Sequence, residues 1–203
     1  DSRIISRDTN HTRAFLKIQD GCSNTCSFCK VRYLRGPTRS KSIGRVKEEV
    51  KKLGDGGVKE VVLTGINLAE YGKGSGALAK LVRELSRLEE VTRIRFSSIN
   101  PDGITLELLE AINDSGKTCP YFHVPLQSGS NKILDAMDRG YSREYFLGKI
   151  NLIKRNLPDS TFGTDLMVGF PGEKKEDFVE TKEVVREVGF INLHVFRYSP
   201  RSV

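Results

Sequence analysis

No apolar run in this 203-residue chain approaches the ~20 residues that a membrane helix needs. Its opening residues lack the pattern of a secretory leader and the composition of a transit segment. Low-complexity linkers and coiled-coil heptads are absent too. Cysteine is scarce, four in all, and a chain of this size does not need the paired cysteines of a small disulfide-stapled domain. These absences exclude membrane-spanning helical, fibrous and disulfide-framework classes. What remains is an ordinary soluble balance, 37% hydrophobic and 29% charged, long enough to bury a full core as one domain or a large part of one. The chain starts at Asp1 and stops at Val203 just after a strand-like run, so it reads as a piece of something longer.

The charge is lopsided. Lysine and arginine number 33 against 26 acidic residues, for a net charge of +7, which favours a polyanionic partner such as nucleic acid. The excess is local: Lys30, Arg32, Arg35, Arg39, Lys41 and Arg45 crowd one segment, with Tyr33 among them. A basic segment with an aromatic residue suits a phosphate backbone and a stacked base.

That segment follows the cysteines. Cys22, Cys26 and Cys29 form a C-x-x-x-C-x-x-C run directly after an apolar stretch at 14–18. Three thiolates on one short loop hold three irons of a cubane cluster and leave the fourth iron open, and an open iron is reactive. Spacing alone leaves zinc as the other occupant, with His11 the nearest fourth ligand. Cys119 lies far away and does not repeat the spacing; it reads as a buried, inert thiol.

Strand-like and helix-like segments alternate along the chain. Strands are predicted at 15–19, 61–63, 92–97, 121–126, 161–168 and 191–198. Between them, Ile43, Val46, Val50 and Leu53 recur at helical spacing, as do Leu78, Leu81, Val82 and Leu85; Leu106, Leu109 and Ile112; and Phe178, Thr181, Val185 and Val188. Two shorter helical stretches fall at 133–137 and 145–153. Six strands separated by helices imply right-handed βαβ units and a parallel sheet. A closed eight-unit barrel typically takes ~250 residues, so six units predict an open, incomplete one. Ligands of such sheets sit at the carboxyl ends of the strands. The cysteine loop leaves the first strand there. Thr64-Gly65-Ile66-Asn67, Ser97-Ser98, Pro125-Leu126-Gln127-Ser128-Gly129 and Val168-Gly169-Phe170-Pro171-Gly172 leave other strands at the same end, which predicts one shared mouth.

With these residues in view, the chain resembles the radical S-adenosylmethionine superfamily, and within it the methylthiotransferases. The resemblance rests on Asp20-Gly21-Cys22, Cys26-Ser27-Phe28-Cys29, Arg35-Gly36-Pro37 and Arg39-Ser40. It continues through His123-Val124-Pro125-Leu126-Gln127-Ser128-Gly129-Ser130, Met137-Asp138-Arg139, Thr164 to Glu173, and Tyr198-Ser199-Pro200-Arg201. It runs from about residue 13 to the end. Leu63-Thr64-Gly65-Ile66-Asn67 with Tyr71-Gly72 is most similar to the enzymes acting on N6-threonylcarbamoyladenosine in tRNA. The branch acting on isopentenyladenosine is the near alternative, and the branch modifying a ribosomal protein aspartate a further one. Outside the family stands a tRNA-binding module with a structural zinc and no catalysis.

The resemblance implies a radical SAM partial (β/α)6 barrel, an open parallel sheet with helices outside, over residues 13–203, preceded by a linker at 1–12 from a further amino-terminal domain. It implies a [4Fe-4S] cluster on Cys22, Cys26 and Cys29 whose open iron chelates S-adenosylmethionine. Reductive cleavage then gives a 5′-deoxyadenosyl radical for methylthiolation at C2 of the adenine ring. Phe28 would shield the cluster and bring backbone to the adenine. Gly65 and Asn67 occupy the place where the superfamily often carries Gly-Gly-Glu for the methionyl amino group, and the acidic residue is missing here. Ser98, Gln127 and Ser128 would reach the ribose or carboxylate, and Val168, Gly169 and Phe170 would back the adenine. Arg35 and Arg39 would bind phosphate or the methionyl carboxylate. Asp165 would point toward substrate, and His123 is read either as a core histidine or as a substrate contact. The partners implied are the anticodon stem-loop of tRNA and an electron-donor protein, for a cytoplasmic monomer with no membrane attachment. A second cluster and a carboxyl-terminal RNA-binding barrel belong to further domains, so this stretch alone is expected to cleave S-adenosylmethionine slowly without completing sulfur insertion.

Overall fold

The computed structural model describes residues 12–73 and 76–200, with Lys73 described by its backbone alone. The expected linker and His11 fall almost wholly outside these bounds. Six parallel strands follow one another across the sheet in chain order: β1 (Arg13–Lys17), β4 (Glu60–Thr64), β5 (Arg93–Phe96), β6 (Tyr121–His123), β7 (Thr161–Val168) and β8 (Asn192–Arg197). The ladder is continuous within β1-β4-β5 and within β6-β7-β8. Between β5 and β6 it thins to isolated parallel bridges, Ile94 with Thr118 and Ser98 with His123. Pro120 lies in this seam and brings no amide hydrogen, which interrupts regular pairing.

The helices α2 (Ile43–Asp55), α3 (Ala77–Ser86), α4 (Leu106–Ser115), α6 (Arg143–Asn156) and α7 (Lys175–Val188) alternate with the strands, and α1 (Val31–Arg35) and α5 (Asn131–Ala136) are short. Ser42, Thr105 and Ser142 cap α2, α4 and α6, their hydroxyls accepting amides of the first turn. The long helices turn most of their periodic apolar residues to the sheet, but Leu106 at the start of α4 and Phe178 in the first turn of α7, expected on those faces, are exposed, and Val184 is buried in α7. Leu81, Val82 and Leu85 of α3, Leu108 and Leu109 of α4 and Phe146 and Ile150 of α6 share one core with Val61, Leu63, Ile94, Phe122 and Leu166. The apolar runs of the sequence therefore end where buried strands require them.

Two strand boundaries differ from expectation. The first strand, expected over 15–19, stops at Lys17. Gln19–Asp20 instead forms β2, paired antiparallel with β3 (Arg39–Ser40), a two-residue ribbon that pinches the base of the cysteine loop. The fourth strand, expected over 121–126, ends at His123. Pro125 withholds an amide there, and the Thr164 hydroxyl replaces the ladder, donating to Val124 O at 2.7 Å and accepting the Leu126 amide at 2.9 Å.

The start of α7 is fastened to the loop before α5 through Asp177. Its carboxylate accepts the Lys174 amide at 2.8 Å, Lys132 Nζ at 2.8 Å and Ser130 Oγ at 2.8 Å. The Lys132 bond, the amide and the hydroxyl hold its pKa down at about 2. A depressed carboxylate stabilises the fold fully above the ordinary value near 4 and loses that contribution as pH falls toward 2. Asp177→Asn is therefore expected to lower the melting temperature at neutral pH and to flatten its fall between about pH 4 and 2. Thermal melts across that range check this.

Candidate functional site

The cysteine loop begins at Gly21, whose φ of +76° and close approach to Pro37 O (2.2 Å from where a Cβ would stand) admit only glycine. The Cys22 amide donates to Gly36 O at 3.2 Å. Beneath, the buried Gln19 amide group donates to Gly21 O and to Thr38 Oγ1, each at 2.8 Å, and its carbonyl accepts the Asn67 amide at 2.9 Å. One side chain thus ties the loop, the β3 ribbon and the turn after β4 together. On its far side the loop rests on the end of α5. Ser27 N donates to Met137 O at 3.0 Å, Ser27 Oγ to Ala136 O at 2.9 Å, and Thr25 Oγ1 to Asp138. Glu70 accepts the Ser23 amide at 3.1 Å. The Cys29 amide donates to Cys26 O at 3.0 Å, which turns the loop tightly between those two cysteines.

All three loop cysteines are free thiols, half-buried. Two have donors aimed at their sulfurs. Asn67 Nδ2 lies 3.8 Å from Cys22 Sγ, and Arg139 Nη1 donates to Cys26 Sγ at 3.4 Å. Burial pushes the Cys22 thiol up, with Glu70 adding to it, and the Asn24 backbone and Asn67 pull against them. Arg139 is partly buried, gripped through the Tyr141 hydroxyl at 2.9 and 3.0 Å and Asn100 Oδ1 at 3.4 Å. Burial works against its charge, but Tyr141 and Cys26 outweigh that and hold the guanidinium ionised. Sequence reasoning assigned Arg139 no role.

Three soft thiolate donors on one short loop fit an iron–sulfur cluster held at three corners.

An apolar layer faces the loop. Phe28 packs with Ile133, Met137, Met167, Phe170 and Tyr198, and the Phe170 and Tyr198 rings meet edge-on at 5.2 Å. Phe28 and Phe170 are thus brought together, while Val168 accepts the Tyr198 amide at 2.8 Å and Gly169 N donates to Glu173. Asn67 is 3% exposed, and its Oδ1 has no hydrogen-bond partner, an orphaned acceptor beside Cys22. Gly65 is demanded by packing, since a Cβ there would stand 2.8 Å from Gln19 Oε1. Gln127 is held in the left-handed region (φ 68°) by β7, donating to Asp165 O and accepting from Met167 N. Ser98 closes the β5–β6 seam opposite His123. Ser128 is fully buried, 3.4 Å from Thr181 Oγ1 of α7, so its hydroxyl serves the loop-to-helix junction.

An open cleft beside the loop is lined by Cys26, Phe28, Cys29, Arg32, Tyr33 and Tyr198. Arg35 lies 3.9 Å from Asp20, and Arg39 donates to Arg35 O at 3.1 Å; Lys41 and Arg45 pair with Glu49. Cys119 is half-buried rather than buried and sits on the seam at the start of β5, where burial pushes its thiol up. No helix of the described residues is long and apolar enough to cross a membrane.

A partial parallel α/β barrel with three free thiols at the carboxyl end of its first strand defines a class of protein that mounts a metal centre at the barrel mouth. The chain belongs to the Radical SAM superfamily, whose family model matches residues 16–185. It is 44% identical over 190 residues to threonylcarbamoyladenosine tRNA methylthiotransferase MtaB of Chlamydia pneumoniae, covering 94% of this chain and 45% of that protein. It is 42% identical over 193 residues to tRNA-2-methylthio-N(6)-dimethylallyladenosine synthase of Natranaerobius thermophilus, covering 94% of this chain and 43% of that one. The chain therefore spans less than half the length of these relatives. The fold is that of the radical S-adenosylmethionine methyltransferase TsrM of Kitasatospora setae, solved with cobalamin and a [4Fe-4S] cluster: TM-score 0.75 at 14% identity, covering 90% of this chain and 36% of that one.

Proposed function

We propose that the chain is the core domain of a radical S-adenosylmethionine tRNA methylthiotransferase acting at C2 of N6-threonylcarbamoyladenosine, next to the anticodon. The observation that carries this reading is the 44% identity across 94% of the chain to a protein of that name. Cys22, Cys26 and Cys29 would hold a [4Fe-4S] cluster. When bound, such a cluster supplies the electron that cleaves S-adenosylmethionine to methionine and a 5′-deoxyadenosyl radical.

The chain's own residues set the conditions for that chemistry. Arg139 and Asn67 donate to cluster-ligand sulfurs and fix their orientation. The orphaned Asn67 Oδ1 is a ready acceptor for an ammonium group, which is how this site would manage without the acidic residue of the superfamily. Phe28, Met167, Phe170 and Tyr198 give the mouth an apolar wall that keeps water from a reactive carbon radical. Val168 and Gly169, at the end of β7, bring backbone to the same wall. α1 offers Tyr33 (72% exposed) and Leu34 (78% exposed) beside Lys30 and Arg32, a stacking and phosphate-binding edge for an anticodon stem-loop. Only one cysteine, Cys119, lies outside the loop, so a second cluster and the sulfur insertion it serves need a further domain of a longer, cytoplasmic enzyme, with its own electron donor.

The 42% identity to a dimethylallyladenosine synthase supports a second reading, methylthiolation of isopentenyladenosine. Nucleoside mass spectrometry of tRNA from cells lacking the full-length protein separates the two. The threonylcarbamoyl reading expects its 2-methylthio derivative to vanish while the isopentenyl derivative persists. The reverse pattern overturns it.

A further inference from the structure

His123 on β6, Asp165 on β7 and His194 on β8 converge at one point, and no step above uses them. Along β7, Phe162, Thr164 and Leu166 are buried, with Phe162 and Leu166 in the core beneath the helices. Strand alternation turns Gly163, Asp165 and Met167 to the opposite, inner face of the partial barrel. The parallel register sets His194 beside Asp165 and His123 beside Gly163, so the carboxylate stands between two rings. His123 Nε2 is 3.0 Å and His194 Nδ1 3.2 Å from the same Asp165 Oδ1, and the ring centroids are 5.1 Å apart.

We propose that His123, Asp165 and His194 bind one divalent cation of the zinc class, at a centre separate from the cysteine loop. Two imidazoles and one carboxylate from three adjacent strands supply three of the four ligands such an ion takes. This nitrogen-rich set favours zinc over magnesium or calcium. Bonds of ~2.0–2.2 Å in a tetrahedron place ligand atoms roughly 3.4 Å apart, within a few tenths of an ångström of the two separations observed. The outer nitrogen of each ring also has a partner. Tyr121 Oη, which can accept, is 3.4 Å from His123 Nδ1; Asn192 Nδ2, a donor, is 3.3 Å from His194 Nε2, and turning that amide over presents Oδ1 to the N–H of a ligating ring. Such partners fix the tautomer and aim of a ligating imidazole. Asp165 lies two residues before Met167, so the centre stands ~7 Å along the strand from the apolar wall on Phe28. His194, half-exposed, leaves the fourth position open to the inner face. An ion here would also tie β8, exposed along its whole length, to β6 and β7.

The test adds zinc alone to the cluster-loaded protein and reads the zinc-edge X-ray absorption, the chelator-competed affinity and the melting temperature. The expected result is one zinc per chain surrounded by nitrogen and oxygen at ~2.0–2.2 Å with no sulfur at ~2.3 Å. His194→Gln, on an exposed edge where folding tolerates the change, should weaken zinc at least ~100-fold and remove the zinc-dependent rise in melting temperature. Tyr121→Phe, which alters only an outer partner, should weaken it ~10–100-fold. No retained zinc, zinc bound through sulfur, or zinc indifferent to His194→Gln overturns the proposal, leaving the trio a hydrogen-bonded brace.

Discussion

Replacing Cys22, Cys26 or Cys29 singly by alanine is expected to abolish the brown colour of the anaerobically reconstituted protein and its production of 5′-deoxyadenosine. On the proposed reading the three sulfurs would be the whole protein ligand set at the loop, so losing one would leave two corners held. The activity should fall by more than the ~10–100-fold typical of losing an outer-shell partner. The fold should survive, because the loop's anchors are elsewhere: Gln19 below, Ser27 against the end of α5, and Glu70 on the Ser23 amide. Cys119→Ala, across the sheet on the seam, serves as the comparison and should change neither readout. Chromatographic measurement of 5′-deoxyadenosine with dithionite as reductant checks all four variants.

Arg139→Leu should have the next largest effect, and a different one. A guanidinium 3.4 Å from Cys26 Sγ favours the reduced, more negative state of anything the sulfur binds. Removing it should make the midpoint potential more negative, on the order of 65–110 mV, which corresponds to a charged hydrogen bond of about 1.5–2.5 kcal/mol for one electron. Stability should fall as well, by about 2–3 kcal/mol, since Arg139 also braces Tyr141 and Asn100. Arg139→Lys keeps the charge without the fork, so it should restore part of the potential but little of the stability. Potentiometric titration followed by electron paramagnetic resonance measures the first effect, and denaturant unfolding the second.

Much of the scaffold was legible because its signals are local. Val61, Val62 and Leu63 form a continuous apolar run, as a strand buried on both faces must, and the helical spacings of α2, α3, α4 and α7 recur where the helices stand. The mouth followed from the rule that parallel strands deliver their loops to one end. The β2–β3 ribbon was not legible, because two residues per strand show no periodicity. Arg139 stands in a loop without periodicity; its partner Cys26 lies 113 residues away, and no local pattern joins them. Ser128, a polar strand end that could equally reach a ligand or satisfy loop amides, accepts the Ser130 amide at 3.2 Å and lies 3.4 Å from Thr181 Oγ1 of α7, a junction that spacing along the chain does not encode. His123 and Asp165 were read one at a time. What joins them to His194 is the register of three strands, a tertiary fact that spacing along the chain does not encode.

One measurement bears most directly on the cysteine loop: iron, zinc and sulfide content of the oxygen-free reconstituted protein, with Mössbauer spectra of the same sample. A loop that offers three soft thiolates and no fourth protein ligand of its own should carry about four irons and four sulfides per chain. Its spectrum should single out one iron site on addition of S-adenosylmethionine. Iron-free protein with one thiolate-bound zinc per chain would contradict the account and leave the loop a structural clasp.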